Sequence, residues 1–500
     1  MTHDFIVIGA GVSGITSAIT LAQNGFRVAL LERADRTAPL VRGFFRRGVQ
    51  FDTGFHYAGG LGAGGPLNTF FRYLGISEGI VSFPFDEHGF DIFSCASDGF
   101  EFRFPTGYQR IGDELGRAFP GERPAIERYL TQVRSVCAAM PYQNLQAPVA
   151  LDPLLNRIFG PTLKETLDAL TGNPLLKSLL SMHTLLYGVP SDQVSFAQHA
   201  VIVGNYYESA CGIRGGGLSL AQACDARLAA LGVDVFCGSR VTGITAGPNG
   251  AFSGVELACG ETLSAGGCIA TLHPQLMLEL VPEGAFRPAY RKRVAALEET
   301  LSAFLAYAVA SRPLPQLAGA NRFLLPDAAC IHEIGKRPIE EGPLYISGAY
   351  RDPGSDPCGF IGIFPANFAQ AAPWQGSRSG KRPAGYREFK EQAQVRMRRQ
   401  LERLSPDLAC SMESMEVSTP LTIRDFCQTP GGGLYGVKHM VGQYNPLPAT
   451  RMKGLYLAGQ ALVAPGVMGA VLSGLLACGS ILGHQHIREE LQSCCQEESS

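Results

Sequence analysis

The run Gly9-Ala10-Gly11-Val12-Ser13-Gly14 constrains this chain more than any other feature of its sequence. GxGxxG by itself is a common glycine turn, but its flanks here are specific. Asp4 to Ile8 reads as a short strand buried on both faces. Ile15, Ala18, Ile19 and Ala22 recur at helical spacing until Asn24-Gly25, and Val28 to Leu31 reads as a second strand. The result is one βαβ unit. In such a unit Gly9 permits the tight turn, Gly11 lets backbone approach a pyrophosphate, and Gly14 lets the helix lie close on the strand. The phosphates, held with Ala10, Val12 and Ser13 around them, face a helix N-terminus whose free N–H groups and dipole stabilise anionic oxygens. Glu32 ends the unit, where a carboxylate accepts hydrogen bonds from both ribose hydroxyls and repels a 2′-phosphate. The ligand is therefore FAD or NAD rather than NADP.

Composition supports a large apolar enzyme. Over 500 residues, 42 Lys+Arg against 44 Asp+Glu give a formal charge of −2, which excludes a polybasic nucleic-acid binder. Charged residues are 17 % of the chain, below the roughly 25 % of an average soluble domain, and glycine is in excess at 60 residues. The 14 cysteines form no CxxC pair and read as reduced thiols. His88, His183, His199, His273, His332 and His439 show no i, i+4 pairing and are expected to have no acidic partner, so no metal is expected. Gly454 to Gly483 carries no charge, but its Pro465 and repeated glycines suit a motif better than a membrane span.

The expected fold class is α/β, with a Rossmann-type dinucleotide domain and an inserted α+β substrate domain. Segments 1–75, 206–275 and 420–490 make the discontinuous first domain. Residues 76–205, punctuated by prolines and mostly helical, join 276–419 as the substrate domain, and 491–500 is a polar tail. Ala366 to Gly385 reads as an exposed loop. A second GxGxxG, Gly60 to Gly65, is followed by Pro66 and reads as a mobile loop. The stripe Leu175, Leu176, Leu179, Leu180, Leu185 and Leu186 reads as helix packing, with a tunnel wall as its alternative.

Several segments resemble known flavoproteins. Gly9, Gly11, Gly14, Ala18, Leu21, Gly25, Val28 and Glu32 resemble the extended FAD fingerprint of the glutathione-reductase-like kind. Gly454 to Gln460, then Pro465 to Ala470, resembles the second FAD motif of the amine oxidase and phytoene desaturase superfamily. The stretch Phe51-Asp52-Thr53-Gly54-Phe55-His56-Tyr57 and the run Ser418 to Thr422 are similar to the carotenoid isomerase, retinol saturase and phytoene desaturase branch. So are Pro430-Gly431-Gly432 and Tyr435-Gly436, and Gln460 stands where amine oxidases usually have an acidic residue. The chain departs from the family at Ala38-Pro39, where a Gly-Gly pair is usual, and Gly212 to Gly216 replaces its Pro-x-Gly-Gly.

The resemblance implies FAD, held by Gly9, Ala10, Gly11, Val12, Ser13, Gly14, Glu32, Arg33, Arg42, Gly54, Phe55, His56, Val241, Gly459, Gln460, Val467, Met468 and Gly469. It implies an FAD-dependent oxidoreductase that desaturates, saturates or isomerises carbon–carbon double bonds of a lipophilic polyene or isoprenoid-like substrate, by hydride exchange at flavin N5. His56 and Tyr57 are the titratable pair nearest the flavin; His56 either relays a proton or shapes the wall. The expected setting is cytoplasmic, with peripheral membrane contact left open and the partner a lipophilic small molecule. Two other readings are a flavin amine oxidase and a non-catalytic lipid binder of the GDP-dissociation-inhibitor kind.

Overall fold

A computed structural model describes residues 3–149 and 151–496. Strand His3–Ile8 is the hub of the first sheet, pairing in parallel with Val28–Leu31 on one side and Thr262–Ala270 on the other. Asp234–Phe236 extends the parallel set beyond Val28–Leu31, and Leu455–Leu457 joins it beside Thr262–Ala270. Strands from both ends and the middle of the chain thus share one sheet, with Ile6, Val7, Ala29 and Leu30 wholly buried. Antiparallel strands Phe252–Leu257 and Val241–Ala246 complete it.

Helices Val12–Gln23 and Gly466–Leu482 run parallel, side by side, on one face. Ser13 Oγ donates to Ala470 O at 2.7 Å, and Cys478 Sγ lies 3.6 Å from Ser17 O. Gly474 sets their approach, because a Cβ there would fall 2.8 Å from Ser13 O. Both helix N-termini therefore open together beyond the carboxyl ends of the parallel strands, where such sheets bind ligands. On the opposite face, helices Pro274–Leu280 and Pro288–Ala295 pack Met277, Leu278 and Val294 against Ile6, Ile8 and Leu31. The boundary drawn at 275 consequently cuts through the first unit, whose core extends to Leu297.

The second sheet runs Met412–Ser418, Ser302–Ala310, Gly359–Ala366, Leu344–Ala349, Asn321–Leu325, Asp91–Cys95, Phe100–Phe104. Its last two strands come from the stretch read as mostly helical; the alternation Phe100, Phe102, Phe104 is the strand signal that the prolines obscured. The helical part packs Tyr129, Val133, Ala200 and Val203 over this sheet. The leucine stripe divides. Helix Pro174–Ser181 buries Leu176, Leu179 and Leu180, while Leu185 and Leu186 follow in a 3-10 turn.

Three local expectations change. Gly60 to Gly65 is a pinned turn rather than a mobile loop: Gly60 N donates to Asn205 O at 3.1 Å, and Leu67 N to Gly60 O at 2.9 Å. Within Ala366 to Gly385, Phe368–Trp374 forms a 3-10 helix, with Trp374 stacked 4.5 Å from Phe389. The tail expected from 491 continues helix His484–Gln496, with Leu491 buried; residues 497–500 lie outside the described residues. Among the described residues no helix is long and apolar enough to cross a membrane.

Candidate active site

The phosphate turn has the shape its glycines imply. Gly9 holds φ +97°, and Gly11 has no atom within 4 Å of where a Cβ would stand, so space lies open before the helix N-terminus. No side chain caps that terminus and its first turn carries no acid. Ala10 N donates to Glu32 Oε2 at 2.8 Å and Ala34 N to Glu32 Oε1 at 2.8 Å, which orients the buried carboxylate beside the turn. Each oxygen keeps a lone pair for a ribose hydroxyl. Ser239 N donates to Glu32 O at 2.7 Å, bringing the segment before Val241 alongside. The Val241 side chain itself packs in the core with Ile8 and Leu31.

Arg42 Nε donates to Thr37 O at 2.7 Å and its Nη2 pairs with Asp225 of helix Gly216–Ala230. Arg33 is exposed and donates to Phe426 O at 3.2 Å. Ala38 holds φ +45°, a left-handed conformation usual for glycine, and Ala38 N donates to Ala10 O at 2.7 Å.

The other end of the site is a cavity of about 610 Å³. Gly54, Phe55, His56 and Tyr57 line it on one side, and Val467, Met468 and Gly469 on another. The latter open helix Gly466–Leu482, whose N-terminus also lacks a side-chain cap. A Cβ on Gly469 would fall 2.1 Å from Ala464 O, so the turn into that helix requires glycine. Gly459 holds φ +119° and its N–H donates to Ser473 Oγ at 2.9 Å. Gln460 O accepts from His439 Nε2 at 2.8 Å. Two free helix ends, a cradle at Gly11 and an apolar cavity beyond them fit a dinucleotide with an aromatic head.

Sequence spacing hid the polar contacts behind this wall. Tyr57 hydroxyl donates to Asp91 Oδ2 at 2.8 Å, His183 Nε2 meets the same oxygen at 2.9 Å, and Asn321 Nδ2 donates to Oδ1 at 2.9 Å. Asp91 and His183 are fully buried. The expectation that no histidine has an acidic partner therefore fails at His183, at His273, which lies 3.5 Å from Glu299, and at His88, which lies 3.5 Å from the adjacent Glu87. The first two pairs form across the fold between distant segments. Burial holds His56 down at about 4 and pushes the Tyr57 hydroxyl well above its ordinary value, with the Asp91 charge adding to it. At neutral pH both are uncharged. The cavity walls further include Arg157, Gln198 and His439, which no local pattern marks.

The profile of the family described as flavin containing amine oxidoreductase matches residues 12–311. The chain belongs to that family. It is an FAD-dependent oxidoreductase. Over 98 % of its length it is 26 % identical to the all-trans-retinol 13,14-reductase of Rattus norvegicus, covering 87 % of that protein. It is 24 % identical to prolycopene isomerase 2 of an Oncidium hybrid cultivar, over 95 % of this chain and 83 % of the relative. Among solved structures, an oxidoreductase from Methanosarcina mazei superposes with a TM-score of 0.66 at 17 % identity, over 96 % of this chain and 99 % of that one.

Proposed function

We propose that this enzyme oxidises, reduces or isomerises carbon–carbon double bonds of a lipophilic polyene. The observation that carries the reading is the cavity itself. Aliphatic and aromatic walls, including Leu185, Ile202, Tyr206, Ile363 and Leu472, run up to the segments 54–57 and 466–469 that resemble flavin-contacting motifs. Such walls bind a long apolar chain and exclude water. The relatives' names, a retinol reductase and a prolycopene isomerase, point to the same substrate chemistry.

FAD bound between the two helix ends supplies a two-electron hydride acceptor or donor. The chain's own residues bind and orient. The open N-terminus before Gly11 would hold the pyrophosphate, Glu32 would accept from the ribose hydroxyls, and the uncapped N–H groups opening helix Gly466–Leu482 would stabilise negative charge on the reduced flavin. His56, a neutral imidazole at this wall, is the group positioned to accept a proton from a substrate carbon. Tyr57 keeps its proton on Asp91 and acts as a rigid wall.

The mouth of the cavity supports peripheral contact with a lipid surface. Val149 and Leu447 line it and are 61 % and 74 % exposed, and Phe159 and Tyr444 form an exposed edge-on pair beside them. An apolar rim of this kind lets a substrate pass from bilayer to cavity. Sedimentation with phosphatidylcholine vesicles tests it, with L447D expected to release the protein.

An amine oxidase reading has less support: no carboxylate among the described residues lines the cavity to pair with an ammonium, and Gln460 replaces the acidic residue. The deciding experiment is anaerobic mixing of holoenzyme with polyenes and with simple amines, following flavin absorbance and product mass. Polyenes should exchange two hydrogens with the flavin or change double-bond geometry. Turnover of amines alone would overturn the proposal.

A further inference from the structure

Arg157 is the one Asp, Glu, Lys or Arg side chain among the described residues that lines the cavity. It projects from helix Leu151–Phe159. Its Nε donates to Gln198 Oε1 at 2.7 Å and its Nη2 donates to Val463 O. Both acceptors are neutral. Burial alone acts on the guanidinium, pushing it down to about 10, with no acidic group opposing that effect. Arg157 is partly buried. A cation drawn out of water without a counter-ion is costly, and the cost falls when an anion arrives.

Gln198 supplies a second, independent sign. It is 2 % exposed and lines the same cavity, and its Nε2, shielded from the open space, has no hydrogen-bond partner, so a ligand reaches it only when the side chain shifts. Its orientation is set by Arg157, because turning the amide over would place N–H against N–H. The free group is therefore a donor. His439, nearby on the wall, adds no negative charge: Nε2 faces Gln460 O at 2.8 Å, Nδ1 faces Asn445 Nδ2 at 3.1 Å, and burial leaves the ring neutral. A guanidinium in a mostly apolar chamber that no carboxylate among the described residues lines matches a ligand head that accepts hydrogen bonds and carries negative charge.

We infer that Arg157 and Gln198 bind the carboxylate of an acidic, long-chain substrate, so that the enzyme acts on an apolar-chain acid rather than a hydrocarbon or alcohol. The inference rests on the polyene reading for the chain, but the head group is tested separately. Gln143 Oε1 is an unpartnered acceptor on the same wall, which makes the alcohol the competing ligand.

The test is binding of two matched pairs to FAD-loaded enzyme, all-trans-retinoate against all-trans-retinol and palmitate against hexadecanol, read by changes in flavin absorbance and protein fluorescence. The expected result is tighter binding of the acid in each pair, with R157Q weakening the acids about 10- to 100-fold and the alcohols less than about threefold. Q198L, which leaves the guanidinium in place, should weaken the acids by a smaller factor and serves if R157Q does not fold. Acid preference in the saturated pair alone upholds the head-group assignment while the polyene reading falls. Equal binding of acid and alcohol in both pairs overturns the inference. So does an R157Q enzyme whose flavin spectrum and sulfite affinity shift while its acid-to-alcohol ratio stays that of wild type, since the guanidinium would then serve the cofactor.

Discussion

A Cβ on Gly14 would lie 1.8 Å from the carbonyl oxygen of Gly9, so the N-terminal helix can pack on strand His3–Ile8 only with glycine there. Gly11, two positions into the same turn, has nothing within 4 Å of its would-be Cβ and a φ of −74° that any residue adopts. The two glycines therefore separate folding from cofactor binding. G14A should lower the melting temperature of the apoprotein and reduce soluble yield. G11A should leave apoprotein stability within about 1 kcal/mol, since an N-cap glycine is replaced without a clash, yet purify largely without flavin. Flavin-to-protein absorbance ratios and apoprotein melts check both variants, and equal apoprotein stability for the two would remove the distinction.

Asp52 ties the segment before the cavity to the central helix. Its Oδ1 accepts from Gly217 N at 3.0 Å, and a Cβ on Gly216 would fall 2.0 Å from Oδ2, so carboxylate and helix start are in tight contact. Burial raises this carboxyl to about 7, only partly offset by the bonds from Gly217 and Gln50. Its folded-state value lies above the unfolded one, so the native protein holds the proton more tightly. The contribution to stability is complete below about 4 and is lost as pH rises through about 7. D52N, which keeps an acceptor oxygen for Gly217, should flatten that decline. Urea melts between pH 5 and pH 8.5 should show wild type losing stability at the alkaline end while D52N does not.

Much of the dinucleotide frame was readable because each part is local. A strand, a glycine turn and a helix are contiguous between Asp4 and Gln23, and the second helix start at Gly466 carries its own glycine signature. What escaped reading depends on contacts between distant segments. Phe100, Phe102 and Phe104 alternate as a strand should, but the pattern spans five residues among prolines and its partner strand Asp91–Cys95 has an unbroken buried face only in part. Arg157 meets Gln198 across 41 positions and His183 meets Asp91 across 92, so neither pair leaves a spacing that periodicity can detect. Arg42 pairs with Asp225, 183 positions later, a contact that likewise leaves no local spacing.

The Tyr57–Asp91 pair predicts a structural effect larger than a kinetic one. Asp91 is fully buried and receives three donors, one of them the Tyr57 hydroxyl. Y57F withdraws that donor and leaves the carboxylate short of a partner, at a cost of about 1–3 kcal/mol. Because the hydroxyl stays protonated at working pH, turnover should fall only a few-fold. H56Q should reduce turnover more while melting near wild type. Parallel melts and steady-state rates check this, and the reverse pattern would make Tyr57 the proton carrier.

The buried histidines oppose Asp52 at the acid end. His199 sits between the hydroxyls of Tyr129 and Tyr187, at 3.0 and 2.8 Å, and burial holds it down at about 3. His56, His273 and His439 are likewise held near 4 by burial. In the unfolded chain each protonates near 6.5, so the unfolded state gains protons as pH falls and stability drops below about 6.5. The loss continues until the folded values are reached, and its slope grows with the number of histidines that stay neutral in the fold. H199Q, which keeps a polar group between the two tyrosines, should cost stability at pH 7.5 yet reduce the steepness of the decline between pH 6.5 and 4.5. Melting temperature followed across that range for wild type and H199Q decides it: parallel curves would mean that His199 titrates alike in both states and that the acid lability arises elsewhere.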